Sequence, residues 1–310
     1  MILCVNLNAA IDKTIVVDTL RLGEIQRPES VKSLPGGKGC NVARALRHFG
    51  VDAVVTGWVG GTAGQFIETG LQAEGIGTDF VHTGLESRTC TSILDRSTQA
   101  LTEIYEKGHP IPPDKVTEMQ DHFRRIIGDY ETVTLSGSLP PGAPSDFYAQ
   151  LIGLAHEAAV PILLDSSGLA LREGVGARPA LIKPNEAEAA GLSERPMSTL
   201  SGMAEAAVSI ARDYSTIVAL SLGRRGAILA DPRQVFHIQN PPVEAVSAVG
   251  SGDCMLAGLA YGLARGLPLP ECGRIGVAAG TANSVVIGAG QFTRAGFDDV
   301  YAATQVSQIS

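Results

Sequence analysis

The stretch Ala248-Val249-Gly250-Ser251-Gly252-Asp253, continued by Cys254-Met255-Leu256-Ala257-Gly258-Leu259-Ala260-Tyr261-Gly262-Leu263-Ala264, decides how the chain is read. Two glycines and a serine precede an acid, and the apolar run behind them predicts a buried helix. Such a turn can bring successive backbone N–H groups to the positive end of the helix, which suits an anion. A carboxylate held there could take a proton from a bound hydroxyl while the amides hold charge growing on a phosphoryl group. An ordinary N-capping turn with Asp253 as a first-turn acid fits the same six residues. The remaining sequence has to choose between them.

Of the 310 residues, 45% are apolar and 18% charged, a globular composition with ample material for a core. No uncharged apolar run is long enough to span a bilayer, and Met1-Ile2-Leu3-Cys4-Val5-Asn6 lacks the basic start of a signal peptide, so a soluble cytoplasmic protein is expected. The net charge of −8 argues against nonspecific nucleic-acid binding. It leaves room for an anionic small molecule, because a few cations focused in a cleft suffice. Cys4, Cys40, Cys90, Cys254 and Cys272 are odd in number and unpaired in spacing, which suits reduced thiols. The histidines at 48, 82, 109, 122, 156 and 237 show no ligand spacing and read as surface or loop residues.

Taken in order, Ile2 to Val5 reads as a buried strand, followed by a turn and a polar alternating strand carrying Asp12. Asp12 is expected at the mouth of the first strand's carboxyl end, where open α/β sheets bind ligands, although a turn or cap acid fits too. Leu34-Pro35-Gly36-Gly37-Lys38-Gly39-Cys40-Asn41-Val42-Ala43-Arg44 is a glycine-rich turn opening an amphipathic helix. It is no Walker A loop, since Gly39 follows the lysine. A βαβ rhythm runs from Val51 to Phe80, with a strand at 53–59 and a helix at 64–74. Residues 88–94 and 100–105 predict a hairpin about Ser97-Thr98 that could join the strand after Asp12 in a small separate sheet. Beyond it, polar residues recur where strands end: Ser138, Asp165, Asn185 and Ser221, with Asp12 earlier. Five in register predict one crevice along one edge of a mostly parallel sheet.

Gly36-Gly37-Lys38-Gly39 with Asn41-Val42-Ala43, Ser136-Gly137-Ser138-Leu139-Pro140, Lys183-Pro184-Asn185 with Glu188, Ser221-Leu222-Gly223 with Gly226-Ala227, and Gly250-Ser251-Gly252-Asp253 together resemble the PfkB (ribokinase-like) carbohydrate kinases. The resemblance covers nearly the whole chain in order. With Thr102-Glu103-Ile104 it looks most like the branch holding 1-phosphofructokinase and tagatose-6-phosphate kinase. It implies a three-layer α/β/α fold with a mostly parallel central sheet. The expected organisation is a single kinase domain over 1–310, with a β-sheet lid built from about 12–34 and 86–111 that joins two subunits in a homodimer.

By the same resemblance, Asp253 matches the catalytic base, and Gly250, Ser251 and Gly252 the anion hole. Asn185 and Glu188 match the element holding Mg2+. Ser221, Gly223 and Gly226, with Lys183 close by, match the site of the ATP. Asp12, Gly37, Asn41 and Ser138 match sugar-hydroxyl contacts. Lys38 and Arg88 are the cations expected on a phosphate already carried by the substrate, since burying two cations with no partner is costly. The expected reaction is phosphorylation of a ketohexose monophosphate, fructose 1-phosphate to the 1,6-bisphosphate. Tagatose-6-phosphate kinase and 6-phosphofructokinase are the near alternatives, and a ribokinase-like sugar or nucleoside kinase or a non-catalytic sugar-phosphate sensor the distant ones. Neither nucleic acid nor membrane is expected as a partner. Two departures stand out: Cys90 where the branch commonly has Asn, which bears on the choice of sugar, and Ala9 where many relatives have Pro.

Overall fold

The computed structural model describes residues 1–309. In chain order these are β1 (Ile2–Val5), β2 (Ala10–Val17), β3 (Ser30–Gly36), α1 (Lys38–His48), β4 (Ala53–Thr56), β5 (Trp58–Val59), α2 (Gly61–Ala73), β6 (Gly77–Thr78) and β7 (Val81–His82). Next come β8 (Arg88–Asp95), β9 (Leu101–Tyr105), α3 (Pro113–Ile126), β10 (Thr132–Ser136), α4 (Phe147–Glu157), β11 (Ile162–Asp165), α5 (Gly168–Gly176), β12 (Leu181–Ile182) and α6 (Glu186–Ala190). The chain continues with α7 (Leu200–Tyr214), β13 (Ile217–Ser221), β14 (Ala227–Ala230), β15 (Val235–Gln239), α8 (Ser251–Ala264), α9 (Leu269–Ser284), α10 (Arg294–Ala303) and β16 (Gln305–Ile309).

Ten strands form the main sheet in the order β16-β15-β14-β13-β12-β11-β10-β1-β4-β6. From β6 to β13 all neighbours are parallel, and β14, β15 and β16 add an antiparallel edge. Every residue of β1, β10 and β11 is buried, as parallel strands covered on both faces require. Two apolar clusters flank the sheet. One seats α1, α8 and α9, the other α3, α4, α5 and α7, giving three layers.

The second sheet, β3-β2-β8-β9, has four strands. Its halves come from distant sequence and are joined by parallel pairing of β2 with β8, which sets Asp12 beside Cys90. Asp12 lies inside strand β2 of the small sheet, the polar strand expected after the turn, and the adjacent Gly36 and Gly37 pack against Asp12 and against Asn6 at the carboxyl end of β1. The strand expected over 53–59 is broken at Gly57, where φ is 145° and a Cβ would lie 2.1 Å from the Asn6 carbonyl oxygen. His122, read as a surface residue, is buried on α3 with Nε2 at 3.1 Å from the Asp79 carbonyl oxygen. Among the described residues no helix is long and apolar enough to cross a membrane.

Candidate active site

Helix α8 starts behind Gly250, whose φ of 80° is left-handed. A Cβ there would also lie 2.6 Å from the Ala289 Cα, so only glycine fits the turn. Asp253 falls in the first turn and is 6% exposed. Burial pushes its carboxyl up to about 6. Lys38 pulls it down, Asp165 pushes it further up, and a hydrogen bond from Asn41 opposes the rise. That bond runs from Asn41 Nδ2 to Asp253 Oδ2 at 2.8 Å. The Ser251 N–H already donates to the Ala248 carbonyl at 3.2 Å. Among the described residues no backbone carbonyl accepts from the Gly252 N–H, which leaves that amide at the helix start for an anion.

Beneath this turn charges alternate. Asp165 closes β11 almost fully buried, and Lys38 Nζ donates to both of its oxygens at 3.2 Å. Lys183 Nζ stands 3.4 Å from Asp165 Oδ2 on the other side. Burial works against the Lys38 charge, but Asp165 and then Asp253 outweigh it and hold its pKa above the usual lysine range. Asp165 is shared by both lysines, so each keeps charge to direct at Asp253 and at an arriving phosphate. Lys183 is buried, and a Cβ on Gly252 would lie 3.3 Å from its Nζ. The Lys38 side chain is 43% exposed, free to exchange Asp165 for an arriving anion.

The glycine-rich turn before α1 is built by close packing. A Cβ on Gly36 would lie 2.1 Å from the Asp12 Cγ, and one on Gly39 2.6 Å from the Asn6 Cβ. These approaches seat Asp12 over the start of α1. Burial raises the Asp12 pKa, opposed by the Gly37 N–H and by the charges of Arg44 and Arg88. Asn41, expected on the sugar, turns its side chain to Asp253 instead and is itself buried.

Two clefts reach the neighbours of the Asp253-Lys38-Asp165-Lys183 group, one through Ser251 and Gly252 and the other through Ser138 and Ser167. One, of about 720 Å³, is lined by Ser221, Gly223, Gly226, Asn240, Ser251 and Gly252 among others. It lies at the carboxyl end of β13, where the expected nucleotide turn falls. The other, of about 590 Å³, is lined by residues including Asn8, Arg88, Lys107, Ser138, Ser145 and Ser167. Arg88 is aimed by its donations to the Asn8 carbonyl at 3.1 Å and the Glu106 carbonyl at 3.0 Å. Arg88 and Lys107 both line this cleft, while Lys38 holds Asp165 in the charged group and is not on the cleft wall. Sequence reading passed Lys107 over because a lysine at a hairpin's end carries no motif.

Asn185 and Glu188 form a capping box on α6: the Glu188 N–H donates to Asn185 Oδ1, and the Asn185 N–H to Glu188 Oε2, each at 2.9 Å. Among the described residues Glu188 Oε1 takes no hydrogen bond, and an isolated bridge sets Asn185 beside Ser221, where the nucleotide turn is expected. Among the described residues no three of His, Cys, Asp and Glu group closely enough to cage a metal. A single carboxylate oxygen with no protein partner fits an ion that keeps most of its water, as Mg2+ does.

Residues 3–293 match the pfkB family carbohydrate kinases. The tagatose-6-phosphate kinase of Staphylococcus epidermidis is 33% identical over 313 residues, covering 100% of both chains. Among solved structures, Escherichia coli phosphofructokinase-2 in complex with fructose-6-phosphate superposes with a TM-score of 0.90 at 26% identity, covering 97% of this chain and 98% of that one. A Thermotoga maritima protein described as a possible 1-phosphofructokinase gives 0.90 at 25% identity, with 100% of both chains covered. Since the match spans both clefts and the charged group, the chain belongs to the pfkB family of carbohydrate kinases.

Proposed function

We propose that the chain transfers the γ-phosphoryl group of ATP to a hydroxyl of a ketohexose monophosphate, with fructose 1-phosphate as the first reading of the acceptor. One observation carries this. A buried carboxylate, Asp253, stands at a helix start near two lysines, with one cleft lined by the adjoining Ser251 and Gly252 and a second cleft lined by Arg88 and Lys107. In this reading Asp253 takes the proton of the attacking hydroxyl. The Gly250-Ser251-Gly252 turn, chiefly the Gly252 amide, and Lys38 stabilise the charge on the phosphoryl group in flight. Ser221, Gly223 and Gly226 line the nucleotide cleft above Lys183. Asn185 and Glu188 would hold Mg2+, which when bound neutralises charge on the nucleotide phosphates.

On the sugar side, Asp12, Gly37 and Ser138 offer hydroxyl contacts, and Asn41 serves through Asp253. Arg88 with Lys107 receives the phosphate already on the sugar, as two cations on a cleft wall suit a dianion. The whole chain acts as one kinase unit, with the small sheet as a lid that excludes water and favours transfer over hydrolysis. The lid also joins two copies. Tagatose 6-phosphate is the second reading, favoured by the full-length match to a kinase named for it.

The test is an ATP-turnover screen over fructose 1-phosphate, tagatose 6-phosphate, fructose 6-phosphate, fructose and ribose, with Arg88→Ala and Lys38→Ala beside the unaltered protein. A phosphorylated ketohexose should give the highest kcat/KM. Arg88→Ala should raise KM for it by about tenfold or more, and Lys38→Ala should mainly lower kcat. Best turnover on unphosphorylated ribose would overturn the substrate class.

A further inference from the structure

Arg44 carries more connections than a stabilising ion pair needs. It is 4% exposed and its five N–H groups are all spoken for. Nε and Nη2 clasp the two oxygens of Glu74, the residue that ends α2, at 2.6 and 3.0 Å. Nη2 also reaches the Pro35 carbonyl in β3 at 3.0 Å, and Nη1 the Ala289 carbonyl at 3.3 Å. The last donation, from Nη1 at 3.1 Å, goes to Oδ1 of Asn41. That bond fixes which end of the Asn41 amide faces Asp253. With its oxygen held by a permanent donor, the nitrogen must point to the carboxylate, where it donates at 2.8 Å. The Ala289 contact steadies the backbone packed against Gly250, the residue that opens the anion turn.

We infer that Arg44 is a positioning residue for the reaction: through Asn41 it orients the Asp253 carboxylate and leaves one oxygen to the acceptor hydroxyl, and through Ala289 it seats the anion turn. The inference rests on the reading of Asp253 as the base. A lysine cannot replace this arrangement, since an ammonium has no planar fork to serve Glu74 and Asn41 together. Glu74 supplies the other half of the device by clasping the guanidinium in the plane that aims Nη1 at Asn41. The charged groups around Asp253 are Lys38 from α1, Asp165 from β11 and Lys183 beyond β12, and none of them is touched by the substitution.

The experiment compares kcat against pH for Arg44→Lys, Asn41→Ala, the double variant and Asp253→Asn, using whichever sugar phosphate of the screen turns over best. Arg44→Lys should lower kcat by about tenfold and shift the acidic limb of the profile upward, because the ionised carboxylate loses its amide donor. Asn41→Ala should do the same, and the double variant should be little worse than either alone. A folded Arg44→Lys with an unmoved acidic limb, or with losses that multiply fully with those of Asn41→Ala, overturns the inference. Should Arg44→Lys fail to fold, Glu74→Gln is read by the same criteria. Asp253→Asn separates the layers: near-normal turnover there removes the base itself. An inactive Asp253→Asn beside an unmoved limb in Arg44→Lys removes only the positioning role.

Discussion

Asp253 is an acid kept from water by the helix it begins, with Lys38 and Lys183 nearby but only Asn41 donating to it directly. Its folded pKa lies above its ordinary 3.8, at about 6, so the folded chain binds an extra proton between those values. For a carboxyl raised in this way, stability from this group is present at low pH and lost as pH climbs through that window. Activity runs the opposite way, since only the ionised form accepts a proton. The acidic limb of kcat is therefore expected near pH 6, with a plateau above it. Asp253→Asn should lower the chemical rate by about a hundredfold or more. At neutral pH it should also raise stability, by on the order of 1 kcal/mol, because a desolvated charge has been removed. Turnover assays and thermal unfolding on the same sample check both. An inactive variant that is also less stable would contradict the desolvation account.

At the scale of elements, the Asp253 carboxylate is only as well placed as α8, and α8 is held by glycine contacts with α9. A Cβ on Gly258 would lie 2.7 Å from the Gly276 Cα, and one on Gly280 2.8 Å from the Ser251 carbonyl oxygen. Backbones this close leave no room for a methyl group. Gly258→Ala should cost about 1–3 kcal/mol in denaturant unfolding, through overpacking against rigid backbone, despite alanine's better helix propensity. A stabilised Gly258→Ala would show that α9 can slide aside. Helix α9 is also the element that hydrophobic periodicity does not announce. Nearly all of it from Cys272 to Asn283 is buried, so its sequence has no polar face to set a period. The sharp turn at Gly250, by contrast, was legible from composition.

Across the whole molecule, the small sheet presents apolar side chains that its own chain leaves uncovered. Strand β9 is an edge strand whose five residues are all exposed, with Ile104 at 59% and Tyr105 at 53%. An exposed edge of this kind invites pairing with another sheet. A second copy, bringing the same lid, is the proposed occupant. Ile104→Asp should convert the proposed dimer to monomer in sedimentation velocity and raise KM for the sugar phosphate, because Arg88 and Tyr105 of the same sheet line the cleft proposed to take it. An unaltered Ile104→Asp dimer would place the interface elsewhere.

Local chemistry was enough to announce the anion turn before α8, the capping acid of α6, and the row of polar residues at strand ends, because each depends on neighbours within a few positions. The sequence by itself determined the sheet class, the order of its motifs and the carboxylate at the centre. Only the tertiary structure decided the partners. Lys38 and Lys183 meet on Asp165, Asn41 turns to Asp253 under the grip of Arg44, and Lys107 joins Arg88 on one cleft wall. Such pairings depend on the register of β2 on β8 and on the packing of α1 against α8, contacts between residues far apart in the chain that no local pattern encodes.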